Sequence, residues 1–101
     1  MDTPGSTLPH ELALERPSPN PARLAATLRF ASPRETRVSL ALYDAGGRRI
    51  RPLASYRQTA GEHAIAWDLR DDEGRTVGAG IYFLRLEAEG RVLTRRFATV
   101  R

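Results

Sequence analysis

The chain contains no cysteine and no lysine, and only 7% of its residues are aromatic. Without cysteine it can form neither a disulfide framework nor a thiolate metal site, so burial of apolar side chains must hold the fold together. No apolar run approaches the roughly 20 residues of a membrane-spanning helix. Residues 1–8 lack the cationic start and the apolar centre of a signal peptide. We therefore expect a fragment or the tail end of a longer chain.

The positive charge is spread along the chain. All 16 cationic residues are arginine, and the formal net charge is +4. Many arginines alternate with apolar residues, as on the solvated face of a sheet. The densest group, Arg48, Arg49 and Arg51, follows a Gly-Gly turn and has no interleaved aromatic residues on which bases could stack. Because nucleic-acid binding requires a basic patch or stripe, we expect no nucleic-acid partner.

Length and composition favour one small all-β domain. The chain has 101 residues, 41% of them apolar, with eight glycines and seven prolines to punctuate short strands. Residues 1–9 are small, polar and interrupted by proline, so we interpret 1–10 as a linker and 11–101 as the domain.

Alternation of apolar and polar residues predicts seven strands and no amphipathic helix. Pro17, Pro19 and Pro21 are expected to break regular structure between the first two strands, because proline gives a ladder no donor. Pro52 places the fourth strand at an edge for the same reason. Strands of this number and spacing favour a β-sandwich. The predicted strands are 11–15, 25–30, 37–43, 49–56, 61–67, 81–88 and 92–100.

Turns and faces follow from the same pattern. The Asp44-Ala45-Gly46-Gly47 segment supplies the positive-φ positions of a hairpin, and the last two strands pair across 89–91. Trp67 shares a strand face with Ile65 and is expected in the core. His63 lies on the same face, which favours a half-buried strand position over a catalytic base.

The acidic run Asp68, Asp71, Asp72 and Glu73 has two interpretations. Carboxylates are the ligands that Ca²⁺ prefers, but the alternate spacing of an EF-hand loop is absent. Asp side chains that accept hydrogen bonds from their own turn explain the run equally well, and we favour that interpretation. No serine lies in a nucleophile elbow, and no catalytic group meets positional criteria. We therefore predict no catalytic, cofactor or metal site.

Several short blocks follow one another along 12–101: Pro19-Asn20-Pro21, Thr27-Leu28-Arg29-Phe30, Val38 to Asp44, Trp67-Asp68 and Gly80 to Phe83. In this order they resemble one family of small bacterial domains. It is described as the FlgD-like immunoglobulin-like domain or as the C-terminal sorting domain of type IX secretion. Leu69 replaces a glycine that is usual in its Trp-Asp-Gly block. The matched structural-motif residues are Asn20, Pro21, Asp44, Gly47, Arg48, Trp67, Asp68, Asp71, Gly80 and Tyr82.

The resemblance implies a seven-stranded, antiparallel immunoglobulin-like β-sandwich without cofactor or catalytic activity. It further implies a C-terminal appendage of an exported bacterial protein, secreted or at the cell surface, that serves secretion sorting, surface anchoring or assembly. Its partners would be the parent protein upstream and secretion or envelope machinery, to which Arg95, Arg96 and Arg101 would be available. Two alternatives stay open: a hook-cap-type domain whose edge strand recruits a protein, and a carbohydrate-binding module with a Trp67–Tyr82 platform.

Overall fold

The computed structural model describes residues 10–100, which form seven strands and no helix. Within this range there is accordingly no helix that could cross a membrane. The strands are β1 (Ala13–Leu14), β2 (Ala26–Ser32), β3 (Thr36–Asp44), β4 (Arg49–Gln58), β5 (Gly61–Trp67), β6 (Gly80–Ala88) and β7 (Arg91–Thr99).

Two antiparallel sheets face each other. A three-stranded sheet has the order β1-β2-β5, and a four-stranded sheet has the order β4-β3-β6-β7. The predicted seven-stranded sandwich is therefore confirmed, as is the pairing of the last two strands.

The core lies between the sheets and is built by alternation. On β3, Val38, Leu40 and Leu42 are buried, and Leu40 lies opposite Leu86 of β6. On the three-stranded sheet, Leu28 of β2 is likewise buried. Each side chain of this size stabilises the fold by about 1.5–3 kcal/mol when it leaves water. Burial on the inner faces thus supplies the stability that disulfides give to other small domains.

The first strand differs from expectation, and the proline-rich segment agrees with it. Only Ala13–Leu14 pairs as β1, although Leu12 and Leu14 are buried as predicted. The proline-rich segment forms no strand, yet its other residues still pair: Ser18 exchanges two backbone hydrogen bonds with Thr27 at 3.0 and 2.7 Å. The expected break in regular structure is therefore confirmed, and residues between the prolines make only isolated bridges with their own N–H groups.

The fourth strand lies at an edge, as Pro52 predicted. The β3–β4 ladder has register shifts on either side of the Ala41–Leu42 pair, and Ala41 lies opposite Pro52. Ala41 is on the outer face, as expected, but it is buried, because Pro52 and Arg85 flank it there. This one small residue is therefore covered by its larger neighbours.

Two hairpin turns use positive φ in different ways. In the β3–β4 turn, only Gly47 has positive φ, at 87°, and the expectation of several such positions was wrong. In the β6–β7 turn, Glu89 and Gly90 have φ of 54° and 75°, the combination typical of a type I′ hairpin.

Trp67 and His63 occupy the predicted strand face. Trp67 is 1% exposed and meets the rings of Tyr82 and Phe97 edge-on, at centroid distances of 6.5 and 5.9 Å. His63 is half-buried and stacks on the Phe30 ring at 5.1 Å. Because Trp67 and Tyr82 are both buried, a carbohydrate platform made of these two rings is excluded.

We expect Trp67→Ala to lower the free energy of unfolding by about 3–5 kcal/mol, because it removes a large side chain from a packed site. Trp67→Phe keeps a smaller ring in the same place, so it should cost less than the alanine variant. Chemical denaturation measures both values. An unchanged midpoint in the alanine variant would contradict the core assignment.

Candidate functional site

Half of the motif residues gather at one end of the sandwich, which we call the turn pole and define as residues 44–51 and 68–76: Asp44, Gly47, Arg48, Asp68 and Asp71. Its two segments are joined by side chains and backbone. Arg51 donates from Nη1 to Asp68 Oδ1 at 2.9 Å and to the carbonyl oxygen of Arg70 at 3.2 Å. The N–H of Asp72 donates to the carbonyl oxygen of Ile50 at 3.0 Å. The pole is therefore one connected structure.

The first loop of the pole spans Asp44 to Arg48 and is closed by Asp44. Its Oδ1 accepts the backbone N–H groups of Gly46 at 3.0 Å and Arg48 at 2.9 Å. Its backbone N–H donates to the Arg48 carbonyl at 2.9 Å, and its carbonyl accepts from Gly47 at 3.0 Å. Arg48 returns over the loop, with Nε at 3.8 Å from Asp44 Oδ2.

The second loop, Asp71 to Arg75, repeats this arrangement bond for bond. Asp71 Oδ1 accepts the N–H groups of Glu73 at 2.9 Å and Arg75 at 3.0 Å. Gly74 has φ of 81°, and Arg75 Nε lies 3.4 Å from Asp71 Oδ2. The donated backbone N–H of Arg75 holds the pKa of Asp71 below its usual value.

The two loops explain the acidic run as turn structure. Asp68 behaves similarly, since its Oδ1 accepts the backbone N–H of Arg70 at 3.1 Å. Within residues 10–100, no three His, Asp or Glu side chains are grouped as metal ligands. The sequence carried a signal for the paired loops that our sequence analysis did not use, namely the recurrence of Asp-x-x-Gly-Arg at 44–48 and 71–75.

Leu69 explains why the family usually has glycine at this position. Its φ is 61°, in the left-handed region that glycine adopts without cost, and its carbonyl accepts the N–H of Val77 at 2.8 Å. The Leu69 side chain is buried. Burial therefore offsets the backbone strain that a non-glycine residue introduces here.

We expect Leu69→Gly to be more stable than Leu69→Ala by about 1 kcal/mol, although both should be less stable than the native chain. Both variants lose the buried side chain, but only glycine also relieves the strained φ. Denaturation midpoints give the ranking. At the matched buried position Leu28 in β2, the order of the glycine and alanine variants should reverse. Alanine equal to or better than glycine at 69 would contradict the strain account.

Asn20 and Pro21 lie elsewhere, on the free side of β7. The N–H of Ala98 donates to Asn20 Oδ1 at 3.0 Å. The N–H of Ala22 donates to the Ala98 carbonyl at 2.9 Å, and that of Val100 donates to the Ala22 carbonyl at 2.8 Å. Residues 20–22, which we call the edge clamp, therefore cover the end of a strand edge that would otherwise be open to pairing.

The same side of the sandwich corrects one expectation about the terminal arginines. Arg95 is exposed but only partly available, because its Nε donates to the Leu14 carbonyl at 2.6 Å and so ties β7 to β1. Arg96 is exposed, as expected. Arg101 lies outside the described residues.

We expect Asn20→Ala to speed amide hydrogen exchange at Ala98 and to lower the free energy of unfolding by about 0.5–1.5 kcal/mol, since one acceptor is lost. Asn20→Asp keeps a side-chain oxygen acceptor and should retain most of the protection. Exchange measured by NMR separates the two variants. Equal exchange at Ala98 in the native chain and the alanine variant would show that the clamp does not depend on Asn20.

Gly80 and Tyr82 belong to a third group at the start of β6. Tyr82 Oη donates to the Gly78 carbonyl at 2.6 Å, and Thr99 Oγ1 donates to the same oxygen at 2.9 Å. Gly80 lies opposite Thr99 in the ladder. These residues anchor the entry of the chain into the four-stranded sheet.

The outer face of the four-stranded sheet carries residues that no sequence motif marked as functional. Tyr43, Phe83 and Arg85 lie there, half-buried, at positions that alternate with the core residues of β3 and β6. That alternation was the signal that could have placed them together.

The chain is similar to one known family and to several solved structures. The profile of the FlgD Ig-like domain matches residues 22–91, the greater part of the chain. No curated protein has a matching sequence. Among solved structures, similar chains include PorZ, described as an essential bacterial surface component of the type IX secretion system of Porphyromonas gingivalis. Its TM-score is 0.64 at 23% identity, and the match covers 88% of this chain and 12% of that one.

Two further structures are similar. Dimeric latent PorU from Porphyromonas gingivalis has a TM-score of 0.72 at 23% identity, over 94% of this chain and 10% of that one. FlgD from P. aeruginosa has a TM-score of 0.59 at 19% identity, over 73% of this chain and 58% of that one. The chain thus spans only about a tenth of the first two proteins. Given its profile match and its fold, the chain belongs to the FlgD Ig-like domain family.

Proposed function

We propose that this domain is a non-catalytic C-terminal appendage of an exported bacterial protein, and that it serves secretion sorting, surface anchoring or assembly. One observation carries the proposal: nearly the whole chain, 94%, matches a segment that makes up 10% of a much larger protein. A fold that recurs as a small segment of large chains is expected to serve the protein to which it is attached.

The chemistry of the motif residues supports a structural role for them. The Oδ1 atoms of Asp44 and Asp71 already accept two backbone N–H groups each. Asp68 accepts from Arg51 and from its own turn. Groups engaged in this way hold turns in place, and a catalytic carboxylate would need an oxygen directed at substrate. We therefore propose that the domain is not an enzyme.

PorZ, one similar structure, is described as a bacterial surface component of the type IX secretion system. By analogy, we propose a secreted or cell-surface location for this chain. Its proposed partners are the parent protein upstream and secretion or envelope machinery. We also propose 1–10 as a linker and 11–101 as the domain, although residues 1–9 and Arg101 lie outside the described residues.

A second candidate is a hook-cap-type assembly domain. The likeness to FlgD, which covers 58% of that chain, favours it. Among the described strands, β5 has one side without a neighbouring strand and contains no proline, so it could receive an extended segment of a partner. This candidate would place the functional contact on a strand edge.

The sorting role is tested by fusing the complete 101-residue chain to the C-terminus of a periplasmic reporter in a host with a type IX system. We expect the reporter to become accessible to protease on intact cells. Truncation of β7 is a poor control, because β7 pairs with β6 along its whole length and its loss would unfold the sheet. The matched control is an unrelated β-sandwich of similar size fused to the same reporter.

The sorting role would be contradicted by a fusion that stays periplasmic although its domain is folded. Resistance to proteolysis and the tryptophan emission spectrum show whether the domain is folded. The assembly candidate would then become the better account. The sorting role would also be contradicted if the reporter reached the surface with both the native domain and the control sandwich, because export would then not depend on this domain.

A further inference from the structure

The outer face of the four-stranded sheet carries an aromatic pair flanked by arginines. The ladder registers place four residues in one row across the strands: Arg49, Tyr43, Phe83 and Arg96. Side chains directly opposite each other on one face lie about 5 Å apart at Cβ. Two neighbouring rings therefore have a cation at either end.

The next row places a third arginine beside the aromatic pair. Arg85 lies between Ala41 and Thr94 across the strands, and its guanidinium carbon is 5.8 Å from the centre of the Tyr43 ring. A cleft of about 270 Å³ opens over this part of the face. It is lined in part by Tyr43, Phe83, Arg85, Val92 and Thr94.

Arg85 makes few polar contacts within the described part of the chain. Its Nε is buried and, among the described residues, no atom accepts a hydrogen bond from it. Its one ion pair is loose, with Nη2 at 3.6 Å from Glu87 Oε1, and the side chain remains 41% exposed. A buried donor without an acceptor is unfavourable, and a carboxylate that binds a guanidinium side-on uses Nε and one Nη together. Side-on binding would therefore require the guanidinium to turn so that Nε and one Nη face the cleft that Arg85 lines.

Charge and composition indicate the occupant. The two rows hold three arginines, Arg49, Arg85 and Arg96, and no carboxylate. Asp44 also lines the cleft, but its charge is already met by backbone N–H groups and Arg48. Val92 adds an apolar side chain that is 50% exposed. Tyrosine, phenylalanine and arginine around a small cleft are typical of the centre of a protein–protein interface.

We propose that this cleft is a docking site for an acidic segment of a protein partner, in which a carboxylate binds Arg85 and a neighbouring apolar side chain packs on Tyr43, Phe83 and Val92. The inference rests on the proposed function in so far as an appendage must contact other proteins. It names the surface and the chemistry of that contact: an outer sheet face that adjoins the first loop of the turn pole.

The test uses the complete chain and a capped heptapeptide in which two glutamates are separated by leucines. Binding is followed by NMR titration. We expect saturable shifts at Tyr43, Phe83, Arg85 and Thr94, and at least tenfold weaker binding of the twin peptide with glutamine in place of glutamate. Arg85→Gln should weaken binding of the glutamate peptide at least tenfold, and Arg85→Lys should recover only part of it, because lysine lacks the fork of donors.

The matched control is Arg29→Gln, an exposed arginine in the middle of β2 on the opposite sheet. It removes the same charge and should change affinity less than twofold. Thermal melting of each variant confirms that it is folded. Equal losses in both variants, equal binding of the glutamate and glutamine peptides, or no binding by the native chain would overturn the proposal.

Two further outcomes are decisive. If polygalacturonate binds the same cleft more tightly than the peptide, the ligand is an acidic saccharide and the assignment to a protein partner is overturned. The peptide assay needs no secretion host, so its result is independent of the reporter fusion. If the chain binds the peptide but the reporter is not sorted, only the sorting role is contradicted. If the reporter is sorted even with Arg85→Gln and the chain does not bind the peptide, only the docking site is contradicted.

Discussion

The structure depends on the indole of Trp67. This side chain ends β5 in one sheet and packs against Tyr82 and Phe97, which belong to the other sheet. Its Nε1 donates to the carbonyl oxygen of Arg70 at 2.9 Å, so the same residue also fixes the turn that follows. Because a buried N–H group requires a partner, the position of the turn and the packing of the core are determined together.

From that hydrogen bond the turn pole is assembled outward. The Arg70 carbonyl also accepts from Arg51, at 3.2 Å, which draws the start of β4 to the turn. Two loops of the same Asp-x-x-Gly-Arg pattern then close beside each other, each with its own aspartate as the acceptor. Exposed ion pairs contribute little by themselves. Backbone N–H groups bound to a carboxylate give these loops a defined shape, and the arginines around them neutralise the carboxylates.

Much of the fold could be predicted from the sequence, because alternation reports which residues face the core. The strands, the edge position of β4 and the burial of Trp67 all follow from local pattern. Contacts that depend on distant partners could not be predicted in this way. Examples are the pairing of Ala22 with β7 and the hydrogen bond from Arg95 to Leu14. Local sequence carries no information on which edge a segment will meet.

The candidate site was predicted less well than the fold, and for a related reason. Motif residues stand out in sequence because turns require particular residue types, so Asp44, Gly47 and Asp71 were found readily. The structure shows that these residues build loops. Arg85 forms part of no turn, and only the ladder registers bring it beside Tyr43 and Thr94. Sequence pattern therefore reveals the residues that make the fold more readily than those that could distinguish one member from another.

The same contrast, between residues that make the fold and residues that do not, indicates which surfaces are free to determine binding specificity. Among the described strands, the β7 edge is partly covered by the edge clamp and β4 is interrupted by Pro52, two devices that limit edge-to-edge pairing. The inner faces are committed to the core, and the turn pole is committed to its own hydrogen bonds. The side chains on an outer sheet face can change without loss of the core packing or of the hydrogen bonds of the turn pole. Since the fold persists at 19–23% identity, differences in binding between such domains are expected on faces of this kind.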